Sequence, residues 1–221
     1  YPTSGGQLHD VGTLAGHRVI DVIESEREGE SVVEHITTEQ VGEVGQSVVG
    51  MVDASRRHDN QHKHTAQHII SHVFSNMAAM ATTSVHLGID YGAVELDTDA
   101  VEQSLLDSAE QRANEIVREC HPIDIMFVNA QQARKLPLRR RPPERDMLRV
   151  IRIGELDWSA CGGTHCANTG EVGLIKFIGR ETLRGHALIK FLAGRQALDD
   201  YARRWQITSD VATELTCHFE D

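Results

Sequence analysis

Two short motifs carry pairs of side chains of the types that bind metal ions. His64 and His68 stand four residues apart in HTAQH, and Cys161 and His165 have the same spacing in CGGTH. Apolar residues recur at helical spacing after His68, which predicts an amphipathic helix with both imidazoles on one side. The two glycines of CGGTH predict a tight turn in which the backbone approaches a bound group closely. The two pairs form one nitrogen–sulfur ligand set, and such a set suits zinc.

Neither motif is sufficient evidence for a metal site when it is taken alone. The chain contains 13 histidines, so pairs at this spacing arise by chance. A single cysteine often serves only as a small buried apolar residue. Because both motifs occur in one chain, a shared ion is the favoured interpretation. HTAQH lacks the glutamate that acts as general base in HExxH zinc proteases, so a protease of that type is disfavoured.

The composition predicts a soluble protein with a sizeable core. The chain has 221 residues, of which 40% are hydrophobic and 25% charged. No apolar run approaches the ~20 residues that span a bilayer, so we expect no membrane segment. Four cysteines do not make a disulfide framework, and this favours a reducing, cytoplasmic location.

The charge distribution leaves the question of a nucleic-acid partner open. The net charge of −11 argues against binding to phosphates, which requires a basic surface. A basic cluster nevertheless lies between residues 134 and 145, and it consists of Arg134, Lys135, Arg139, Arg140, Arg141 and Arg145. Such a cluster is either a solvated loop or a surface for RNA, and the sequence does not decide between them.

Short β-branched segments separated by glycines dominate the first part of the chain. Strands are predicted near residues 11–14, 19–23, 31–36 and 47–52, and this spacing is typical of a small β-barrel. Residues 53–63 are polar and are interpreted as a linker or a domain boundary. We therefore predict a barrel-like domain over residues 1–53 and a second domain over residues 54–221.

The second domain is predicted to be α+β. Helices are expected from His64 to about residue 80, from residue 105 to about 120 and from residue 196 to 205, and the segment 131–146 is expected to be an exposed loop. The predicted strands cover residues 85–91, 94–96, 123–128, 148–153, 172–178 and 186–192. Several consecutive strands and unequal helices favour an antiparallel sheet with helices over a doubly wound parallel sheet.

Four motifs in one order resemble the alanyl-tRNA editing proteins of the AlaX type, relatives of the editing domain of alanyl-tRNA synthetase. These motifs are YPTSGGQ, HTAQHIISHVF, SVHLGIDYGAVEL and SACGGTHCANTGEVG, and the resemblance covers essentially the whole chain. It implies a zinc-dependent aminoacyl-tRNA deacylase that removes serine, and by extension glycine, from tRNA(Ala). It also implies one zinc ion on His64, His68, Cys161 and His165, and an N-terminal barrel like that of a translation factor.

Hydrolysis of an aminoacyl ester requires further groups, which we assign as expectations. Gln67, Thr82, Thr83 and Ser84 are candidates for binding the serine hydroxyl, and the backbone amides of Gly162, Gly163 and Thr164 are candidate oxyanion donors. Gly5, Gly6 and Gln7 are expected to line the pocket, and Arg139, Arg140 and Arg141 to hold the tRNA acceptor end. Four protein ligands resemble a closed structural site, so the sequence leaves open whether zinc activates water or only positions the substrate.

Three other functions remain compatible with the sequence. The chain could be the excised editing domain of a complete alanyl-tRNA synthetase, or a non-catalytic, zinc-stapled module that binds tRNA. It could also be a metal hydrolase that acts on a small ester or amide. Cys166, which follows the second motif directly, is predicted to be a buried side chain rather than a spare thiolate. The oligomeric state is not predicted.

Overall fold

The computed structural model describes residues 1–27, 30–141 and 145–217. The N-terminal strands are β1 (Gly12–Leu14), β2 (His17–Arg27), β3 (Glu30–Thr37) and β4 (Gly50–Val52). Helix α1 (Ala54–Ala78) follows, and then come β5 (Thr82–Leu87), β6 (Gly92–Leu96), α2 (Gln103–Glu119), β7 (Ile123–Asn129) and α3 (Ala130–Ala133). The last elements are β8 (Met147–Ile153), β9 (Asp157–Ala160), a 3₁₀ turn (Thr169–Val172), β10 (Ile175–Leu183), β11 (His186–Ala193) and α4 (Arg195–Leu215).

The N-terminal strands form an open antiparallel sheet in the order β3-β2-β1-β4. A closed barrel requires every strand to be paired on both edges. In the described part of the chain β3 pairs only with β2, and β4 only with β1, so the predicted barrel is not observed. Because β1 and β4 contain three residues each, their ladder is short. The predicted domain boundary after residue 53 stays a prediction.

The predicted polar linker is wrong, because residues 54–63 form the first ten residues of α1. Asp53 caps this helix, and its side chain accepts a hydrogen bond of 2.9 Å from the amide of Arg56. Several polar side chains of these turns contact the N-terminal segment. Arg57 forms an ion pair with Asp10 at 2.5 Å, and Asn60 donates to the carbonyl of Leu8. The polar composition of this segment therefore did not reveal a helix, because its polar side chains bind residues that are distant in sequence.

The main core lies between α1, α2 and a second antiparallel sheet with the order β10-β11-β6-β5. The apolar face of α1 buries Ile70 and Phe74 against Val94 and Ile189 of this sheet, and Ile116 joins them from α2. A third antiparallel sheet has the order β7-β8-β9 and presents Ile151 and Ile153 to the same core. The architecture is thus α+β with antiparallel sheets, as predicted.

Most described residues of the segment 131–146 are exposed, as predicted, but the segment also contains a short helix and packs against the third sheet. Asn129 and Gln132 form a capping box around the short helix α3. After it, Leu136 and Leu138 pack beside Trp158 of β9 in a small second core. This packing holds the backbone of the basic cluster against the third sheet. Residues 142–144 of the predicted loop lie outside the described residues.

Helix α4 extends to Leu215, ten residues beyond the predicted end. No helix within the described ranges is both long enough and apolar enough to cross a bilayer.

Candidate metal centre

Helix α1 and the turn after β9 bring the two predicted ligand pairs together. His64 and His68 lie one turn apart on the buried side of α1. Cys161 directly follows β9, and His165 lies four residues further along the turn. The metal-ligating atoms of all four side chains lie within 4.8 Å of one another. The Cys161 Sγ atom lies 3.2 Å from His64 Nε2 and 3.4 Å from His165 Nε2. This cluster could hold one metal ion.

Each imidazole of the cluster has a partner at its outer nitrogen. His64 Nδ1 lies 2.8 Å from Gln7 Oε1, and His68 Nδ1 lies 3.0 Å from Asp157 Oδ2. His165 Nδ1 has a longer contact of 3.4 Å with the hydroxyl of Thr65. An acceptor at Nδ1 holds the proton there, orients the ring and leaves the Nε2 lone pair for a metal. The three rings are therefore arranged as metal ligands are arranged.

Electrostatics within the cluster favour the thiolate that metal binding requires. Burial raises the pKa of the Cys161 thiol, but hydrogen bonds with His165, His64 and His68 outweigh it and lower the pKa to about 2. Burial lowers the pKa of His165 to about 3, so this ring is neutral at neutral pH. Burial also disfavours charge on His68, yet its hydrogen bonds to Asp157 and Cys161 raise its pKa to about 9. A sulfur anion thus faces imidazoles at the centre of the cluster.

The turn that carries Cys161 is held from both sides. The guanidinium of Arg149, on β8, donates to the carbonyls of Cys161 and Gly163 at 2.7 and 2.9 Å. On the other side, Gln7 Oε1 accepts from the amide and the hydroxyl of Thr164 at 2.9 and 3.0 Å. Gly163 approaches His64 so closely that a Cβ atom there would overlap the imidazole ring. The backbone of the turn therefore approaches the His64 side chain closely at Gly163, and its predicted approach to a bound group stays a prediction.

A cavity of about 350 Å³ opens beside the cluster. Its walls come from the N-terminal segment, α1, β5, the basic cluster and the Cys161 turn. They comprise Ser4, Gly5, His64, Gln67, His68, Thr82, Val85, Arg139, Arg140, Arg141, Ser159, Ala160, Cys161, Gly162 and Gly163. Side chains of the candidate metal cluster, polar side chains and basic side chains therefore share one cavity.

A buried hydroxyl joins two of the polar side chains in the cavity wall. The hydroxyl of Ser71, which is fully buried on α1, lies 2.8 Å from Gln67 Nε2 and 2.7 Å from Thr82 Oγ1. Because the amide of Gln67 donates to Ser71, its carbonyl oxygen is available as an acceptor. Gln67 and Thr82 are thus oriented before any ligand binds.

Several predicted pocket residues lie elsewhere. Thr83 is exposed and donates to the carbonyl of Glu95, and Ser84 lines a different cavity. The ladder between β5 and β6 shifts register between Thr82 and Ser84, so Thr82 lines the cavity beside the metal cluster and the next two residues do not. Thr164 is buried behind the cluster, and its amide already donates to Gln7.

The N-terminal motif divides in the same way. Gly5 lines the cavity beside the cluster, whereas the carbonyl of Gly6 accepts from the amide of Leu87. Gln7 is 1% exposed and supports His64 from behind instead of lining the cavity. Cys166 is buried as predicted, and burial raises the pKa of its thiol to about 11. It is therefore a neutral thiol.

Sequence reasoning missed four supporting residues, one of which is Thr65 beside His165 Nδ1. Asp157 holds His68, Ser71 holds Gln67 and Thr82, and Arg149 holds the turn of Cys161. Ser71 stands four residues after Gln67, so helical spacing could have revealed that contact. Asp157 and Arg149 lie on strands, and their side chains contact other segments of the chain. No local spacing predicts these contacts.

Comparison with known proteins places these motifs in a translation context. Residues 148–187 match the family model described as the threonyl and alanyl tRNA synthetase second additional domain. The chain is 34% identical, over its full length, to an alanine–tRNA ligase of Methanoregula boonei, and it covers 25% of that protein. It is 29% identical to the alanyl-tRNA editing protein Aarsd1 of Danio rerio, with 97% of this chain and 52% of that protein covered.

A third relative matches this chain over most of both lengths. The alanyl-tRNA editing protein AlaX-M of Methanosarcina mazei is 30% identical over an alignment of 190 residues, with 80% of this chain and 76% of that protein covered. By contrast, the chain spans about a quarter of the Methanoregula boonei ligase and about half of the Danio rerio protein.

Proposed function

The chain belongs to the alanyl-tRNA editing protein family, and from this premise we propose that it hydrolyses the ester that joins wrongly attached serine to tRNA(Ala). Glycine is the second amino acid that we expect it to remove. The proposal is that of a trans-editing deacylase, which acts on a tRNA charged by another enzyme. One observation carries it: the four-ligand cluster lies in the wall of a cavity that also contains polar and basic side chains.

We propose zinc as the ion held by His64, His68, Cys161 and His165. Zinc–nitrogen distances of ~2.0–2.1 Å and zinc–sulfur distances of ~2.3 Å in a tetrahedron separate neighbouring ligands by roughly 3.3–3.6 Å. The two Cys161 contacts, at 3.2 and 3.4 Å, are compatible with such a site. Three imidazoles with one thiolate also suit zinc better than the oxygen-preferring ions. When bound, zinc supplies Lewis-acid charge that polarises an ester carbonyl.

The residues of the chain would bind and orient the aminoacyl group. Gln67 offers a carbonyl oxygen to the serine hydroxyl or the ammonium group, and Thr82 offers a hydroxyl beside it. The amides of Gly162 and Gly163 are the proposed donors to the oxygen on which negative charge develops. Cys161 is committed to the metal, so a covalent acyl–enzyme is not part of the mechanism. A water molecule attacks the ester directly.

Discrimination against correctly attached alanine follows from the polar side chains of Gln67 and Thr82 in the cavity wall. Alanine has no hydroxyl, so the groups that pair with serine would be left without a partner in the cavity. An unpaired buried polar group costs about 1–3 kcal/mol, which corresponds to roughly 5- to 150-fold in rate. We therefore expect seryl-tRNA(Ala) to be hydrolysed much faster than alanyl-tRNA(Ala).

The basic side chains at the cavity are proposed to bind the acceptor end of tRNA. Arg140 and Arg141 are exposed and line the same cavity as the metal cluster. Their position would place a phosphate of the terminal nucleotides near the ester. Binding of this kind weakens steeply with salt.

A deacylation assay tests the proposed function. Purified protein is incubated with seryl-, glycyl- and alanyl-tRNA(Ala), and release of each amino acid is followed over time. We expect serine to be released fastest, because glycine and alanine both lack the hydroxyl that pairs with the polar wall, and the rates for these two amino acids test the expected activity on glycine. Binding of tRNA without release of serine would favour the non-catalytic, zinc-stapled module. Release that uncharged tRNA cannot inhibit would favour a small-ester hydrolase.

The excised editing domain of a synthetase remains the alternative with the same chemistry. The chain aligns with a quarter of the Methanoregula boonei ligase over its own full length. The length of the open reading frame that encodes the chain separates this alternative from an AlaX-type protein.

Replacing Thr82 with valine should reduce selectivity for serine. The change preserves shape but removes the hydroxyl that lies 2.7 Å from Ser71 in the cavity wall. We expect kcat/KM for seryl-tRNA(Ala) to fall about tenfold, because a hydroxyl partner contributes about 1–3 kcal/mol, while glycyl-tRNA(Ala) is affected less. The matched control is T83V, since Thr83 is exposed and contacts Glu95 instead. Equal losses in the two variants would refute the assignment of Thr82.

A further inference from the structure

Arg139 differs from the two arginines that follow it in the basic cluster. Its side chain is 17% exposed and lies 2.8 Å, from Nε to Oδ1, from the carboxylate of Asp157. These two atoms are poorly aligned for a hydrogen bond, so the contact is an ion pair. The guanidinium also donates to the hydroxyl of Ser159 at 3.2 Å. Arg140 and Arg141 are exposed.

Asp157 is shared between Arg139 and a metal ligand. Its Oδ2 atom accepts from His68 Nδ1 at 3.0 Å and from the Ser159 hydroxyl at 2.9 Å, while Oδ1 faces Arg139. The carboxylate is 2% exposed. A buried carboxylate requires charged or hydrogen-bonded partners, and an unbalanced one moves or loses its charge. Arg139 therefore supplies the positive charge that keeps this carboxylate in place beside His68.

The backbone holds Arg139 at this position independently of its side chain. The amide of Arg139 donates to the carbonyl of Trp158 at 2.9 Å, and Leu138 packs beside the same tryptophan. The backbone hydrogen bond thus places Arg139 beside β9, the strand that carries Asp157 and Ser159. Two of the three guanidinium nitrogens of Arg139, Nε and Nη2, already face Asp157 and Ser159, so a phosphate bound by these nitrogens would compete with a buried carboxylate.

We propose that Arg139 is a positioning residue for the metal ligand His68, acting through Asp157, and not a contact to tRNA phosphate. The proposal rests on the metal site of the proposed function and is independent of the identity of the amino acid removed. Partners of this kind hold the ligand ring in orientation, and their loss typically lowers metal affinity by about 10–100-fold.

The test compares R139Q with its neighbour R140Q in the full chain. Zinc affinity is measured by competition with a chromogenic chelator, and affinity for uncharged tRNA is measured at several salt concentrations. We expect R139Q to bind zinc about 10–100-fold more weakly while its tRNA affinity stays near that of the unmodified chain. R140Q should keep its zinc affinity and show weaker tRNA binding with a shallower salt dependence.

Two further measurements separate positioning from general damage. R139K retains a positive charge that reaches Asp157, so we expect it to recover part of the zinc affinity that R139Q loses. Cobalt(II) bound in place of zinc reports ligand geometry through its absorption bands, and we expect these to change in R139Q and not in R140Q. Zinc affinity and cobalt(II) absorption are both measured on protein that circular dichroism shows to be folded. If R139Q does not fold, R139K replaces it in the comparison with R140Q.

The outcomes distinguish failure of this proposal from failure of the proposed function. If the unmodified chain binds zinc, and R139Q binds it as tightly as R140Q does, the Arg139 proposal is overturned and the metal centre stands. Weaker tRNA binding by R139Q with unchanged zinc affinity overturns it in the same way. If the unmodified chain binds no zinc, the metal centre fails, and the role of Arg139 fails with it.

Discussion

Replacing Cys161 with alanine is expected to abolish metal binding and deacylation together. The Cys161 Sγ atom is the only sulfur in the cluster, and hydrogen bonds with three imidazoles hold it as a thiolate. Without it, three buried imidazoles would have to bind the ion with no anion among them. We expect zinc affinity to fall by more than the ~10–100-fold that loss of a supporting partner costs. Metal content by elemental analysis and serine release from seryl-tRNA(Ala) measure the two effects.

The neighbouring thiol provides the matched control for this variant. Cys166 is buried in the main core, and its thiol is not part of the four-ligand cluster. C166A should lose about 1 kcal/mol of stability from the small cavity it creates, and it should keep its zinc. If C161A retained serine release while its zinc was gone, the metal-centred mechanism would be wrong.

Replacing Gly163 with alanine is expected to produce the second large effect. A Cβ atom at this position would overlap the His64 imidazole and lie 2.9 Å from Gln7 Oε1. Neither neighbour can easily move, because the two side chains are hydrogen bonded to each other and both are buried. Overpacking of this kind typically costs about 1–3 kcal/mol. We therefore expect G163A to bind zinc weakly and to unfold at a lower temperature.

The adjacent glycine is the control, since it differs only in its surroundings. A Cβ atom on Gly162 would meet no atom within 4 Å. G162A should therefore keep its zinc content and its melting temperature. Binding of zinc stabilises the folded state by mass action, so melting curves with and without added zinc report the difference directly. Equal zinc-dependent shifts in G162A and G163A would contradict the geometry of the turn.

Several differences between prediction and structure arise from packing between distant segments. Residues 53–63 are polar, and polarity predicted a linker, but Arg57 and Asn60 find their partners in the N-terminal segment. Most of the basic cluster is exposed, but its backbone is held because Leu136 and Leu138 pack beside Trp158 of β9. The N-terminal glycine-rich motif predicted a cavity wall, but Gln7 supports His64 from behind.

Local patterns were sufficient for the four candidate metal ligands and for most secondary structure. Two side chains four residues apart on a helix must lie on one side of it, because the helix repeats every 3.6 residues. The same periodicity located the buried face of α1 and the whole of α2, and alternation located most strands of the α+β fold. Motif order then identified the family, which the 30% identity to AlaX-M supports independently.

Long-range contacts were needed for everything that supports those ligands. Asp157 reaches His68 across 89 residues, and Gln7 reaches His64 across 57. The register shift in β5 selects Thr82 over Thr83 and Ser84, and the ion pair with Asp157 sets Arg139 apart from Arg140. Each of these contacts depends on where strands pair and helices dock. The spacing of residues along the chain does not predict strand pairing or helix docking, because residues far apart in sequence can be neighbours in the folded protein.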